Sequence, residues 1–433
     1  MKRFLFGLFV TSIFSILFAI CEPVLAGQTD SLIDKLIQKG IITEEEAKEI
    51  KKEEQKAEEQ HQEKIVKDIE AKGLPLPKGL KGIQVGMLAY VDYSNGDSPE
   101  SNDGESDLNN FRVTRGYLTV QKEILPWLHA RTTLDTTQKT DGDWEMRLKY
   151  YYAELRPPDL GSLTGMQSEI GMGHIPWLDF EEHINPYRCQ GTMAIERAGV
   201  FNSADLGVSL RGDIGGKLQD PEERVGDHHY DGHYGTWHLG VYNGAGYHAS
   251  EDNTNKVAEG RLTWRPLPGL IPGIQLSYFG IFGEGNAKTD APDYNVNLGM
   301  LSYQNPWVIF IGQYFTTEGN AKGDWVDAQG DALNTKGYSA FANVKLPILD
   351  KKLSAFARYD HFDQDDDGEI ASDADYDMYI AGLAYDIYKG NLVLLDFETT
   401  DYGRDAGKKG KIPVPNNNLG DDQKVQVVYQ IKF

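Results

Sequence analysis

From about residue 81 to the last residue, apolar side chains recur at alternate positions over short runs. The final run shows the pattern: Val425, Val427, Tyr429, Ile431 and Phe433 fall on one face, and Gln426, Val428, Gln430 and Lys432 on the other. A period of two is that of a β-strand with one oily and one wet face. The same reading marks strands at 82–93, 111–123, 127–136, 144–156, 166–175, 205–214, 234–243 and 256–265. It continues at 273–283, 294–303, 307–316, 337–346, 351–361, 375–388, 391–401 and 424–433, about sixteen in all. Every second connection is long and polar: 94–110, 137–143, 176–204, 244–255, 284–293, 317–336, 362–374 and 402–423. Those between are mostly short, as at 124–126, 304–306, 347–350 and 389–390. The connection 215–233 is too long for that rule, and either breaks it or hides another hairpin.

This alternation predicts an all-β fold, an antiparallel transmembrane β-barrel of about 16 strands with long connections outside and short ones inside. Past the N-terminal segment no apolar run reaches the ~18 residues of a spanning helix, so any membrane crossing falls to the strands. Trp127, Trp264, Trp307 and Tyr388 stand beside short connections, and Phe433 ends on the same side, which predicts an interfacial aromatic girdle. A strand closing on Phe433 with Tyr429 four residues earlier resembles the assembly signal of bacterial outer-membrane barrels. That resemblance implies the outer membrane of a Gram-negative-type bacterium.

The N-terminal part has a different period. Met1, Lys2 and Arg3, an apolar run over 4–20, and Val24-Leu25-Ala26 read as a secretory signal peptide, 1–26. Its removal leaves Cys189 as the sole cysteine, which excludes a disulfide framework. Residues 27–72 read as a charged helical segment, with Gly40 stopping one helix and Thr43 with Glu46 forming a capping box for the next. Its seam of Ala47, Ile50, Ala57, Ile65 and Ile69 is weak. It suits a periplasmic coiled coil or peptidoglycan-facing stalk, or else a solvated spacer. In the stalk reading the barrel is a structural anchor tying the envelope to peptidoglycan. Residues 73–80 form a linker, and 81–433 the barrel. The formal charge of −23 argues against nucleic acid as a partner.

Turning the oily faces toward lipid places basic residues in the lumen. Leu128, Ala130, Thr132 and Leu134 outward leave His129 and Arg131 inward; Leu148, Tyr150 and Tyr152 outward leave Arg147 and Lys149. By the same rule Arg115, Arg211, Arg261, Arg265, Lys345 and Arg358 face inward. A cation in the lipid midplane costs ~2–4 kcal/mol, so the inward assignment is the cheaper one. Asp360, Asp396 and Glu398 share the inward face of later strands, which predicts a basic wall opposite an acidic one and a transverse field.

Asp363, Asp365, Asp367 and Gly368 match the first half of a calcium loop, with Ala374 where the closing acid belongs. These are candidate ligands for a structural calcium, against a solvated acidic loop or divalent bridging to lipopolysaccharide. No other cofactor is expected. His228, His229, Asp231 and His233 cluster in the overlong connection at irregular spacing, as a transition-metal site or a polar turn. No catalytic motif stands out, which points away from an enzyme.

The run Gly173-His174-Ile175-Pro176-Trp177, then Glu181-Glu182, Arg188, Glu196-Arg197 and Asp205-Leu206-Gly207-Val208-Ser209-Leu210-Arg211-Gly212 resembles the phosphate-selective porin O and P family. Leu239 to Gly244 and Gly260 to Trp264 extend the likeness through the next hairpin. The resemblance implies a sixteen-stranded, usually trimeric channel for small hydrophilic solutes or anions, with its third outer loop folded into the pore. Here that loop would be 176–204, whose Glu181, Glu182, His183, Arg188, Glu196 and Arg197 would line the constriction or, for the last two, fix the loop to the wall. The acidic outer residues Asp97, Glu100, Asp103, Glu105 and Asp107 depart from anion selectivity, since they would repel approaching phosphate.

Overall fold

The structure is a computed structural model that describes residues 39, 43, 82–100, 104–139 and 142–433. The expectations for the signal peptide, the linker and, apart from residues 39 and 43, the helical segment and its tethering role lie outside the described residues.

Sixteen strands follow one another around a closed barrel: β1 (Ile83–Glu100), β2 (Gly104–Leu125), β3 (Leu128–Gln138), β4 (Trp144–Leu155), β5 (Leu163–His174), β6 (Ala204–Ile214), β7 (Gly235–Tyr242) and β8 (Val257–Trp264). The second half runs β9 (Ile274–Glu284), β10 (Asp293–Gln304), β11 (Val308–Glu318), β12 (Asn334–Lys345), β13 (Leu353–Asp363), β14 (Asp375–Tyr388), β15 (Asn391–Tyr402) and β16 (Asp422–Lys432). All neighbours are antiparallel, and β1 closes the ring on β16 with Tyr90 opposite Gln430. Closure leaves no unpaired edge, as a hydrocarbon surround requires.

The strand alternation holds with two instructive departures. β1 and β2 are 18 and 22 residues long, so residues 94–100 and 104–110, read as part of a first outer loop, belong instead to the ladder. A membrane strand needs only about 9–11 residues. The surplus is polar because its backbone pairs in water, where no apolar face is required. The second departure is a bulge: Thr133 pairs with Tyr150, and Leu134 with Leu148, leaving Lys149 as the extra residue. The bulge reverses the phase of β4, so Tyr150 and Tyr152 are buried on the inner face and Tyr151 is outside at 61% exposure. Simple alternation places these rings on the opposite faces.

Outside, Leu206, Val208, Leu239, Leu262, Phe282 and Leu301 stand exposed in one apolar belt. Trp127, Trp264, Trp307, Tyr388 and Phe433 are exposed at its short-turn rim, and Phe111 and Trp144 at the other. We expect Val208→Arg to lower the unfolding free energy in lipid by ~2–4 kcal/mol, read as a shift in urea midpoint, because it places a cation in hydrocarbon.

Inside, the barrel is not uniformly wet. β9 to β15 turn Phe279, Val296, Leu298, Phe341, Phe356 and Ile380 inward, all buried. These strands are therefore apolar on both faces, and something must cover the inner one. The connection 215–234 is no hairpin; it makes a single isolated bridge, Lys217 to Gly232, and one turn of helix, α3 (Pro221–Arg224). Leu218 and Val225 are buried, and Tyr230 donates to Asp179 Oδ2 at 2.5 Å, so this segment reaches the third outer loop.

Candidate functional site

The third outer loop, residues 175–203, covers the apolar inner wall. It carries α1 (Leu178–Ile184) and α2 (Ala194–Ala198), joined through a 3-10 turn at Arg188–Gln190. Trp177, Phe180, Met193, Ile195 and Val200 are all at most 1% exposed. Trp177 stacks on Phe279 with ring centroids 5.4 Å apart, and Tyr187 lies 5.0 Å from Phe356. Burying one such side chain is worth about 1.5–3 kcal/mol, so the loop folds inward for the reason any core forms. Gly199, at φ 92, ends α2 in the left-handed conformation that glycine adopts without strain.

Polar clamps complete the attachment. Arg261 Nε donates to Pro176 O at 2.9 Å, Arg358 Nη1 to Thr192 O at 2.8 Å, and Gln426 Nε2 to Gln190 O at 2.8 Å. Arg197 Nη1 donates to Glu398 Oε2 at 2.9 Å. Arg265 holds the other inserted segment by donating to the carbonyls of Gly232 at 3.3 Å and Tyr230 at 3.5 Å, and donates as well to that of Pro272 in the turn before β9. Arg261, Arg265 and Arg358 thus point inward as alternation requires, but each is spent on the carbonyl of an inserted segment. The acids of the later strands share that fate. Asp360 is bound by Arg358, Glu398 by Arg197, Lys409 and Lys424, and Asp396 by Gln426, all beneath the loop.

The open lumen lies on the other side, between the loop and β1 to β4. Arg115 stands over the Tyr117 ring at 4.7 Å, Arg131 over Tyr150 at 4.6 Å, and Lys149 over Tyr117 at 4.4 Å while donating to its hydroxyl at 2.7 Å. Among the described residues no carboxylate comes within 4.0 Å of any of these three cations. The loop presents Glu182 and Glu196, both bound by Arg188 at 2.8 and 2.9 Å. They are close enough to Arg115 and Lys149 for their charges to act across the gap. The acids that stand opposite the basic early strands are therefore those of the loop and not those of the later strands. A cavity of about 760 Å³ opens beside it, lined by Arg131, Lys149, Glu182, His183, Arg188 and, near the short-turn end, Lys345. Arg147 pairs with Glu145 and His248 toward the long-loop end, and Arg211 with Glu169 deeper in the wall.

Glu181 lies on the far face of α1 from the lumen, accepting from Trp177 Nε1 at 2.7 Å and Gln313 Nε2 at 2.9 Å. Burial pushes its carboxyl from 4.5 up to about 7, against the opposing pull of Arg358 and those two donors. A folded-state value above the unfolded one means that the protonated acid favours the folded loop. That contribution is complete below pH 4.5 and is lost as the pH rises through 7. We expect Glu181→Gln to flatten this slope: the wild type loses stability relative to the variant between those limits, seen in unfolding midpoints across the pH series.

One other group of residues falls elsewhere than the spacing suggested. Asp363, Asp365 and Asp367 do not converge. Both oxygens of Asp365 accept backbone amides, from Glu369, Ile370 and Ala371, while Asp363 faces Lys336 and Asp367 accepts from Asn334. The loop is closed by its own amides. Tyr90, Tyr117, Tyr150 and Asp179 belong to the lumen cavity, and of these the last two were hidden from a period-two reading. The unbroken run Tyr150-Tyr151-Tyr152 was the available signal, since three large aromatics in sequence cannot alternate with polar residues.

No family model matches the sequence, and no curated protein matches it. Solved structures do. The anion-selective porin from Comamonas acidovorans superposes with a TM-score of 0.54 at 10% identity, covering 81% of this chain and 100% of that one. The fold is that of the outer-membrane porins. Salmonella typhi OmpF, in complex with daunomycin, has a TM-score of 0.54 at 11% identity and covers 81% and 97%. The outer membrane channel DcaP of Acinetobacter baumannii has 0.53 at 10%, with the same coverage. Likeness at these identities is one of architecture and does not select the phosphate-selective family among porins.

Proposed function

We propose that the chain is an outer-membrane channel for passive diffusion of small hydrophilic solutes, favouring anions over cations. The observation that carries the reading is the trio Arg115, Arg131 and Lys149, held on tyrosine faces along one side of the lumen without carboxylate partners. The two guanidinium groups, Arg115 and Arg131, are the more exposed of the three, and among the described residues no fixed acid pairs with them, so their charge is offered to whatever passes. Glu182 and Glu196 opposite make the field transverse, and Arg188 between them offsets part of their charge. The apolar belt and its two aromatic rims support a place in a membrane, and the porin architecture supports the outer one. Long connections then face outward and the short turns the periplasm.

The test is the reversal potential of the purified protein in a planar bilayer across a potassium chloride gradient, repeated with phosphate. An anion-favouring potential is expected, and block by phosphate would extend the preference to that ion. A neutral or cation-favouring potential would overturn the preference, and absence of conductance the channel itself.

A further inference from the structure

The connection 215–234 brings histidines to the lumen that permeation does not require. His229 lies between two other imidazoles, with ring centroids 4.1 Å from His183 of α1 and 4.2 Å from His228. Asp227, His228 and His229 each place one ligand atom within 4.8 Å of the others. The hydrogen bonds of the three rings determine which nitrogen is left over. His183 Nδ1 is 2.6 Å from the carbonyl oxygen of Asp179, His228 Nδ1 is 2.5 Å from a Glu222 carboxylate oxygen, and His229 Nδ1 is 2.6 Å from an Asp227 oxygen. Those oxygens can only accept, so each Nδ1 donates and the lone pair sits on Nε2. Metal-binding histidines are held in this way, with one nitrogen on an oxygen acceptor and the other offered to the ion.

We infer that Asp227, His228, His229 and His183 form a site for a zinc-class divalent ion, which clips the inserted connection to the third outer loop. Imidazole nitrogens with one carboxylate suit such an ion and not calcium or magnesium, which take oxygen. The ion has access: His183, Asp227 and His229 border the 760 Å³ lumen cavity. The rings have room to converge, since the His228 and His229 side chains are 61% and 46% exposed. Three of the four donors come from one turn of the connection and the fourth from α1, so occupancy ties two segments that otherwise meet through Tyr230 and Asp179. Because His183 lies beside Glu182 on the lumen side of the loop, the clip would narrow the passage; that consequence alone rests on the channel reading.

Calorimetric titration of the folded, detergent-solubilised full chain with Zn²⁺ tests the site without reference to conductance. One ion per chain is expected, unaffected by excess Ca²⁺. His228→Gln, His229→Gln and His183→Gln should each weaken binding at least about tenfold, with unfolding midpoints in chelator unchanged for the two exposed rings. No saturable binding, or binding that none of the three substitutions alters, overturns the site. Binding that depends on His228 and His229 but not on His183 overturns the clip. In bilayers, Zn²⁺ should reduce wild-type conductance reversibly with chelator and leave His183→Gln unaffected. A protein that binds Zn²⁺ but never conducts refutes the proposed function and leaves the site standing.

Discussion

Replacing Arg115 and Lys149 together by glutamate is expected to turn an anion-favouring reversal potential into a cation-favouring one. Arg115 on β2 and Lys149 on β4 both stand over the Tyr117 ring, and both feel the charges of Glu182 and Glu196 on the loop. A unit charge 4 Å from a permeating ion is worth about 1 kcal/mol in bulk water, and the two substitutions move four charge units from positive to negative. Screening at 0.1 M salt acts over a Debye length of about 10 Å, so an ion that passes within that distance of the wall feels these charges. The chloride-to-potassium permeability ratio should therefore fall by about tenfold or more. Arg261→Met supplies the contrast: it removes an equally inward cation that lies beneath the loop and should leave the ratio nearly unchanged. A double variant that folds, conducts and retains the wild-type potential would sink the basic-wall account.

The largest loss of stability should come from Arg358→Met. The Arg358 and Asp360 side chains are 1% and 5% exposed and 2.5 Å apart, and Arg358 also supports the carbonyl of Thr192 in the inserted loop. Removing the guanidinium leaves Asp360 with Ser339 as its remaining side-chain donor, a buried carboxylate that has lost its paired cation. Breaking a buried pair from one side typically costs about 3–5 kcal/mol, whereas replacing both partners is often close to neutral. Arg358→Met with Asp360→Asn should thus recover most of what the single variant loses, in a double-mutant cycle read from urea midpoints in lipid. Equal losses in single and double variants would show that packing beneath the loop, and not charge pairing, sets the cost.

Both predictions turn on which inward cations are tied to the inserted loop, and the strand pattern is silent on that distinction. Alternation placed Arg115, Lys149, Arg261 and Arg358 on the same inner face, and they are there. What separates them is the third loop. Its own sequence carried the reason to fold inward, in Trp177, Phe180, Ile195 and Val200, but the matching surface is assembled from β9 to β15, more than seventy residues away. Likewise Glu196 and Arg197 are adjacent in the chain, yet one binds Arg188 at the lumen edge and the other Glu398 at the wall. A helix turn sends neighbouring side chains in different directions, and a sequence cannot say which of them meets the wall.

The sequence by itself determined the strand count, the inward and outward faces of most strands and the aromatic rim, because lipid on one side imposes a period of two that each strand must satisfy locally. It also marked 215–233 as anomalous without revealing its use. Tertiary structure alone decided which charges remain available in the lumen, the phase of β4 beyond its bulge, and the meeting of His183 with His228 and His229. These depend on contacts between segments far apart in the chain, where packing and pairing select among arrangements that local periodicity leaves equivalent.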